Sequence, residues 1–175
     1  LGGIRSMGLV ASKRTQGIIY GALALVWIAL DQVTKAYFAS TYALGQSSQG
    51  SWVLFDFQLV NNKGAAWGMF SDSTFALGVT SLVVCALVTG CLVAFERIAQ
   101  RPPTALEVVS MALVFAGGIG NAIDRFSQGY VVDFIRLTFI DFPVFNVADI
   151  GVTCGFVLLF LSLLMYGRNN PASEQ

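Results

Sequence analysis

The chain contains four apolar runs, at residues 17–38, 74–95, 105–123 and 147–166. Each is close to the ~20 residues that the hydrocarbon thickness of a bilayer demands of a helix. No water is available there to satisfy a backbone amide, so isolated runs of this length have to be helical. The pattern predicts an α-helical membrane protein with four transmembrane helices. The composition agrees. Only 11% of the residues are charged, where a soluble domain carries about 25%, and the mean hydropathy is +0.70. The net charge of zero leaves no basic field to attract nucleic acid. The first run is too long for the apolar core of a cleavable leader and reads as a span. Residues 1–6 precede the first methionine and read as a remnant foreign to the native chain, so they are set aside. The rest forms one domain within residues 1–175.

Loop charges orient the spans. Arg5, Lys13, Arg14, Arg97, Arg101 and Arg168 flank the runs on one side, and Lys63, Arg125 and Arg136 lie on the other. Positive residues concentrate on the cytoplasmic side, so both termini are expected there. The outer side then holds two segments. Residues 40–73 include Val53, Phe55, Phe57 and Leu59 at period two, a strand pattern. The turn-like Asn62-Lys63-Gly64 follows, and a small β-rich segment lying on the membrane surface is expected. Residues 125–146 read as a second outer loop, rich in aromatics.

Four polar clusters interrupt this apolar background: Asp31-Gln32 with Lys35, Asn121 with Asp124 and Arg125, Asp133, and Asn146 with Asp149. With the orientation above, all four fall at the outer ends of spans or in the outer loop. Carboxylates and amides beside hydrocarbon are costly to keep, and a functional site is their default meaning. The chain has no histidine. Both the usual general base and the commonest zinc ligand are therefore missing, and hydrolytic chemistry would rest on carboxylates or on a Ser/Lys or Cys pairing. Cys85, Cys91 and Cys154 match no zinc spacing, lie inside apolar runs, and read as small buried hydrophobes. Activity is accordingly expected to survive chelators and thiol reagents.

Each cluster also has a plainer reading. Asp31 and Lys35 are four residues apart on one helix face and can neutralise each other. Arg125 could anchor a helix end at the headgroups and hold the adjacent Asp124 ionised. Gly117, Gly118 and Gly120 would let another helix approach. Asp133 could be an exposed loop acid, and Asn146 and Asp149 could cap the fourth span. Against this, Asp133 and Asp149 sit in apolar sequence without an adjacent base. Two such acids brought together can share one proton and act as an acid–base pair. The second span carries no polar group beyond Ser and Thr and reads as packing.

The chain resembles the lipoprotein signal peptidases (signal peptidase II), bacterial intramembrane aspartic proteases. The likeness runs through five pieces in order, over about residues 17–166. They are Asp31-Gln32 with Lys35, Asn62-Lys63-Gly64-Ala65-Ala66-Trp67-Gly68, Gly117-Gly118-Ile119-Gly120-Asn121-Ala122-Ile123-Asp124-Arg125, Val131-Val132-Asp133-Phe134, and Phe142-Pro143-Val144-Phe145-Asn146-Val147-Ala148-Asp149. The resemblance implies that Asp133 and Asp149 are the catalytic dyad, with Asp124 in support. It implies positioning roles for Asp31, Lys35, Asn62, Gly64, Asn121, Arg125 and Asn146. It also implies a monomeric enzyme of the bacterial cytoplasmic membrane, in contact with membrane lipids. That enzyme would use no metal or other cofactor and act at the outer face. The implied substrate is a prolipoprotein whose cysteine carries diacylglycerol, cut just before that cysteine. The competing class is a small proton- or ion-coupled transporter, since intramembrane Asp and Asn also serve proton relays. Such a transporter would place broken helices and polar groups near the midplane, and neither is visible here.

Overall fold

The structure is a computed structural model that describes residues 12–48, 53–64 and 73–169. Arg5, Ala65, Ala66, Trp67 and Gly68, all used above, lie outside the described residues. Four helices carry the four apolar runs: α1 (Lys13–Thr41), α2 (Thr74–Ala99), α3 (Ala105–Gln128) and α4 (Val147–Asn169). Each is long and apolar enough to cross a membrane. The helices extend past the apolar runs because their ends are stabilised locally. Ser12 Oγ accepts the Thr15 amide at the start of α1. Thr104 and Glu107 form a reciprocal capping box at the start of α3. Gly129, at φ 76°, closes α3 in the left-handed conformation that glycine adopts without strain.

Helix α3 is the centre of the bundle and packs against α1, α2 and α4. Its buried positions run from Glu107 to Asp124, whereas α1 buries only a narrow stripe of Gln16, Ala24, Asp31, Lys35 and Phe38. The outward faces of α1, α2 and α4 are apolar, with Leu25, Val26, Val93 and Phe160 exposed, as lipid-facing surfaces require. Three glycines of α3 make the close approach possible. A Cβ on Gly117 would collide with the Ala148 carbonyl and Val152 of α4, and one on Gly118 with Cys85 Sγ of α2. One on Gly120 would meet the Asp31 carboxylate of α1.

Two strands, β1 (Phe55–Asn62) and β2 (Val131–Leu137), form an antiparallel ribbon. Strand β1 answers the period-two pattern, but the expected loop over 125–146 is not all loop. Its first residues continue α3 and its middle is β2. Asp133 is thus a strand residue. The pairing runs from Phe55 opposite Leu137 to Asn62 opposite Val131, with a bulge between Phe57 and Val60. The extra residue breaks the alternation, so the positions buried in β1 are Asp56 and Leu59. Asp56 meets Arg136 across the ribbon in a two-point contact of 2.8 and 2.5 Å. That guanidinium holds the Asp56 carboxyl below the usual carboxylate range. The other edge of β2 is taken by Phe145, which exchanges backbone bonds with Ile135 at 2.8 and 3.0 Å. The ribbon is fastened to the bundle through Phe38, Leu59, Val132 and Phe134. The rings of Phe38 and Phe134 stack at 4.1 Å.

Candidate active site

Helix α1, the end of α3, strand β2 and the start of α4 bring all four polar clusters to one end of the bundle. Asp133 is 2% exposed. Its Oδ2 accepts Asn62 Nδ2 at 2.9 Å and its Oδ1 accepts Asn146 Nδ2 at 2.7 Å. Asn62 is itself oriented, because its Oδ1 accepts the Gly64 amide at 2.9 Å. Asp149 Oδ1 accepts Asn121 Nδ2 at 2.7 Å, and its Oδ2 accepts the Asn146 backbone amide at 3.2 Å. The two acids are therefore joined through Asn146, whose side chain reaches Asp133 and whose backbone reaches Asp149. The capping reading of Asn146 and Asp149 is present in this geometry, since Asn146 Oδ1 also accepts the Asp149 amide at 3.0 Å.

Both carboxylates line one cavity of about 410 Å³. Asn62, Asn121 and Arg125 supply polar wall there, and Phe142, Val144, Ile150 and Cys154 supply apolar wall. Burial drives the Asp133 carboxyl up to about 7, with the nearby Asp149 charge adding to the rise. The Asn62 and Asn146 hydrogen bonds and the Lys35 charge oppose it. A carboxyl in that range can hold or release a proton near neutral pH, as acid–base work requires.

Behind the cavity lies a charged cluster. Lys35 Nζ contacts Asp31 Oδ2 at 2.9 Å, Asp124 Oδ2 at 3.1 Å and Asn121 Oδ1 at 2.9 Å. An ammonium has three protons, and three acceptors surround this one. Asn121 Oδ1 also accepts Asn146 Nδ2 at 3.1 Å. With two donors on its oxygen, the Asn121 amide has to turn its nitrogen to Asp149.

The partner expected for Asp124 is corrected here. Its ion pair is with Lys35 and not with the adjacent Arg125, since neighbouring helix positions point apart. Arg125 instead lines the cavity, and its Nη1 donates to Ser81 Oγ of α2, outside the cavity lining, at 3.4 Å. Its buried Nε has no partner among the described residues. Helix α2 thus touches Arg125 through Ser81 without lining the cavity. The cysteine reading is corrected too. Cys85 is buried, but Cys91 and Cys154 are exposed.

Sequence reading placed Gln32 in a polar cluster but assigned it no role of its own. Its Nε2 lies 3.1 Å from Asp31 Oδ2, 3.2 Å from the Gly120 carbonyl and 3.2 Å from Asp124 Oδ1. Its place beside Asp31, one residue off the Asp31–Lys35 face, was the available signal. At the other end of the bundle, a buried Glu107 held by Arg101 at 2.6 and 2.8 Å was missed.

The chain is similar to known proteins. The family model described as signal peptidase (SPase) II matches residues 23–165. A lipoprotein signal peptidase of Brevibacillus brevis is 36% identical over 152 residues, which cover 86% of this chain and 98% of the relative. One of Symbiobacterium thermophilum is 40% identical over 153 residues, covering 86% and 97%. Among solved structures, a bacterial membrane enzyme determined by the in meso method at 2.3 Å superposes with a TM-score of 0.75. It is 28% identical, and the match covers 89% of this chain and 91% of that one. A second, at 1.9 Å, gives a TM-score of 0.72 at 30% identity and covers 83% and 92%. The family match reaches into all four helices and covers both strands, and on it the chain belongs to the signal peptidase II family.

Proposed function

We propose that this chain removes the signal peptide of diacylglyceryl-modified prolipoproteins by cutting just before the lipid-bearing cysteine, with Asp133 and Asp149 as its catalytic pair. The reading as a lipoprotein-processing aspartic peptidase follows from the family, and the transporter alternative is not favoured. The observation that carries the dyad is the linkage of the two carboxylates through Asn146 on the wall of one cavity. One carboxylate takes a proton from water as that water attacks the scissile carbonyl. The other, as the acid, donates a hydrogen bond to the carbonyl oxygen and then helps protonate the leaving amine. Asn62, Asn121 and Asn146 hold the pair, Gly64 fixes Asn62, and Asp31, Lys35 and Asp124 support them from behind. Arg125 offers its guanidinium to a backbone carbonyl of the substrate.

The apolar cavity wall on α4 adjoins lipid-facing positions, which suits substrate entry from within the bilayer. A monomeric state is assigned to the enzyme. Both termini are assigned to the cytoplasm and the cavity to the outer face. A reporter fused after Arg168 is expected to be active only inside, and one inserted near Gln46 only outside. Both on the same side would remove the orientation.

The direct test incubates the purified chain with a lipid-modified prolipoprotein and locates the cut by mass spectrometry. Cleavage immediately before the modified cysteine is expected, and it should be lost in Asp133→Asn and Asp149→Asn. Cleavage elsewhere, or by either variant at the parent rate, would overturn the assignment.

A further inference from the structure

Asp31 and Asp124 do more than flank Lys35. Asp31 Oδ1 accepts the backbone amide of Ala148 at 2.8 Å. Asp124 Oδ2 accepts the backbone amide of Val132 at 3.0 Å. Ala148 and Val132 are the residues immediately before Asp149 and Asp133. Each supporting carboxylate therefore holds the chain one residue ahead of a dyad acid, at the start of α4 in one case and in β2 in the other. The distance between the two dyad segments is then tied to the distance between Asp31 on α1 and Asp124 on α3.

Two like charges in a buried setting repel. Lys35 bridges them through Asp31 Oδ2 and Asp124 Oδ2. The second bridge is Gln32, whose amide nitrogen reaches Asp31 Oδ2, Asp124 Oδ1 and the Gly120 carbonyl between them. With three acceptors around it, the end that faces them is the nitrogen, whose two protons they share. All three ammonium protons of Lys35 are engaged, one of them with Asn121, so Lys35 has none left for Asp124 Oδ1. Gln32 fills that position as a neutral donor. Gly120 has no side chain to intervene, and a Cβ there would collide with Asp31.

We propose that Gln32 is a positioning residue of the reaction, setting the separation of Asp133 and Asp149 by clasping the two carboxylates from which their segments hang. It touches neither the dyad nor the cavity and acts only through Asp31 and Asp124. The inference rests on the dyad reading above. An error of about 1 Å in such a separation is enough to cost on the order of 10²-fold in rate.

The test compares three variants of the full chain, purified in detergent, against a diacylglyceryl-modified prolipoprotein, with melting temperature measured on the same samples. Gln32→Met keeps the shape without the donor, and kcat is expected to fall about 10–100-fold while KM moves less than about threefold. Gln32→Lys still donates to the same oxygens and should stay within about tenfold of the parent. Gln32→Glu puts a third carboxylate into the cluster and should lose the most. Parental kcat in Gln32→Met, or equal losses in the Lys and Glu variants at equal melting temperature, would overturn the clasp. If Gln32→Met does not fold, the Lys–Glu comparison decides alone. Asp149→Asn is run beside them. An active Asp149→Asn enzyme defeats the dyad reading itself, whereas an inactive one beside normal Gln32 variants defeats only this inference.

Discussion

Asn146 and Asp149 are bonded to each other twice, side chain to backbone in both directions, at 3.0 and 3.2 Å. This reciprocal pair is a capping box at the start of α4. It hands one helix-terminal acid to the proposed chemistry without withdrawing it from the cap.

The double duty of Asp149 makes its substitution legible. Asp149→Asn keeps the shape but leaves one oxygen where two accepted hydrogen bonds. Loss of cap quality is expected to cost about 1 kcal/mol of stability. Activity is expected to fall by about 10²–10⁴-fold, as for removal of a positioned acid or base. Thermal melts and cleavage rates on the same samples separate the two. A rate falling only in step with the folded fraction would reduce Asp149 to a cap.

Asp133 carries a pH signature. Its carboxyl lies at about 7, above the ordinary value of 3.8. A raised acid favours the protonated folded state, so its contribution is present at low pH and is lost as pH rises from about 4 to 7. Asp133→Asn escapes that loss. The melting temperature of the variant relative to the parent is expected to move upward by several degrees between about pH 4 and pH 8. A gap independent of pH would mean that Asp133 titrates normally.

Gly117 tests how tightly α3 and α4 meet. A methyl group there would strike the Ala148 carbonyl and Val152. Gly117→Ala is expected to destabilise by about 1–3 kcal/mol through overpacking. It should also impair cleavage, because Ala148 precedes Asp149. A variant with the parental melting temperature and rate would show that the helices can separate freely.

Thiol reagents are now expected to matter, contrary to the reading from sequence. Cys154 lines the cavity, five residues beyond Asp149. A maleimide attached there should block substrate and slow cleavage at least about tenfold, by occlusion of a site that needs close positioning. Cys154→Ser should cleave normally and resist the reagent. EDTA is expected to leave the rate unchanged, as measured in parallel.

Much of the site could be read from residue order. Asp133 and Asp149 stood out because apolar neighbours without a base are unusual for acids, and the cavity brings them together. The Asp31–Lys35 pair followed from helix spacing and is present at 2.9 Å. Strand β2 was harder to see. Val131, Val132 and Phe134 are all buried along with Asp133, so both faces of the strand are covered and no alternation marks it. The register of β1 was obscured by the bulge, which cannot be inferred from period two. The partner of Asp124 depended on which way α3 is rotated. Adjacency to Arg125 was misleading, and the true partner lies on a helix almost ninety residues earlier. The role of Gln32 needed the same contact between α1 and α3.

The central place of α3 also bears on how the protein enters its membrane. Helix α1 is made first and has to reside in lipid before Asn121 and Asp124 exist. Helix α2 offers it little, since the two pack mainly on α3 and not on each other. The Asp31–Lys35 contact lies within α1, so the two groups travel already paired. Insertion of α1 can therefore precede assembly, and the arrival of α3 turns a self-contained ion pair into the foundation of a catalytic site.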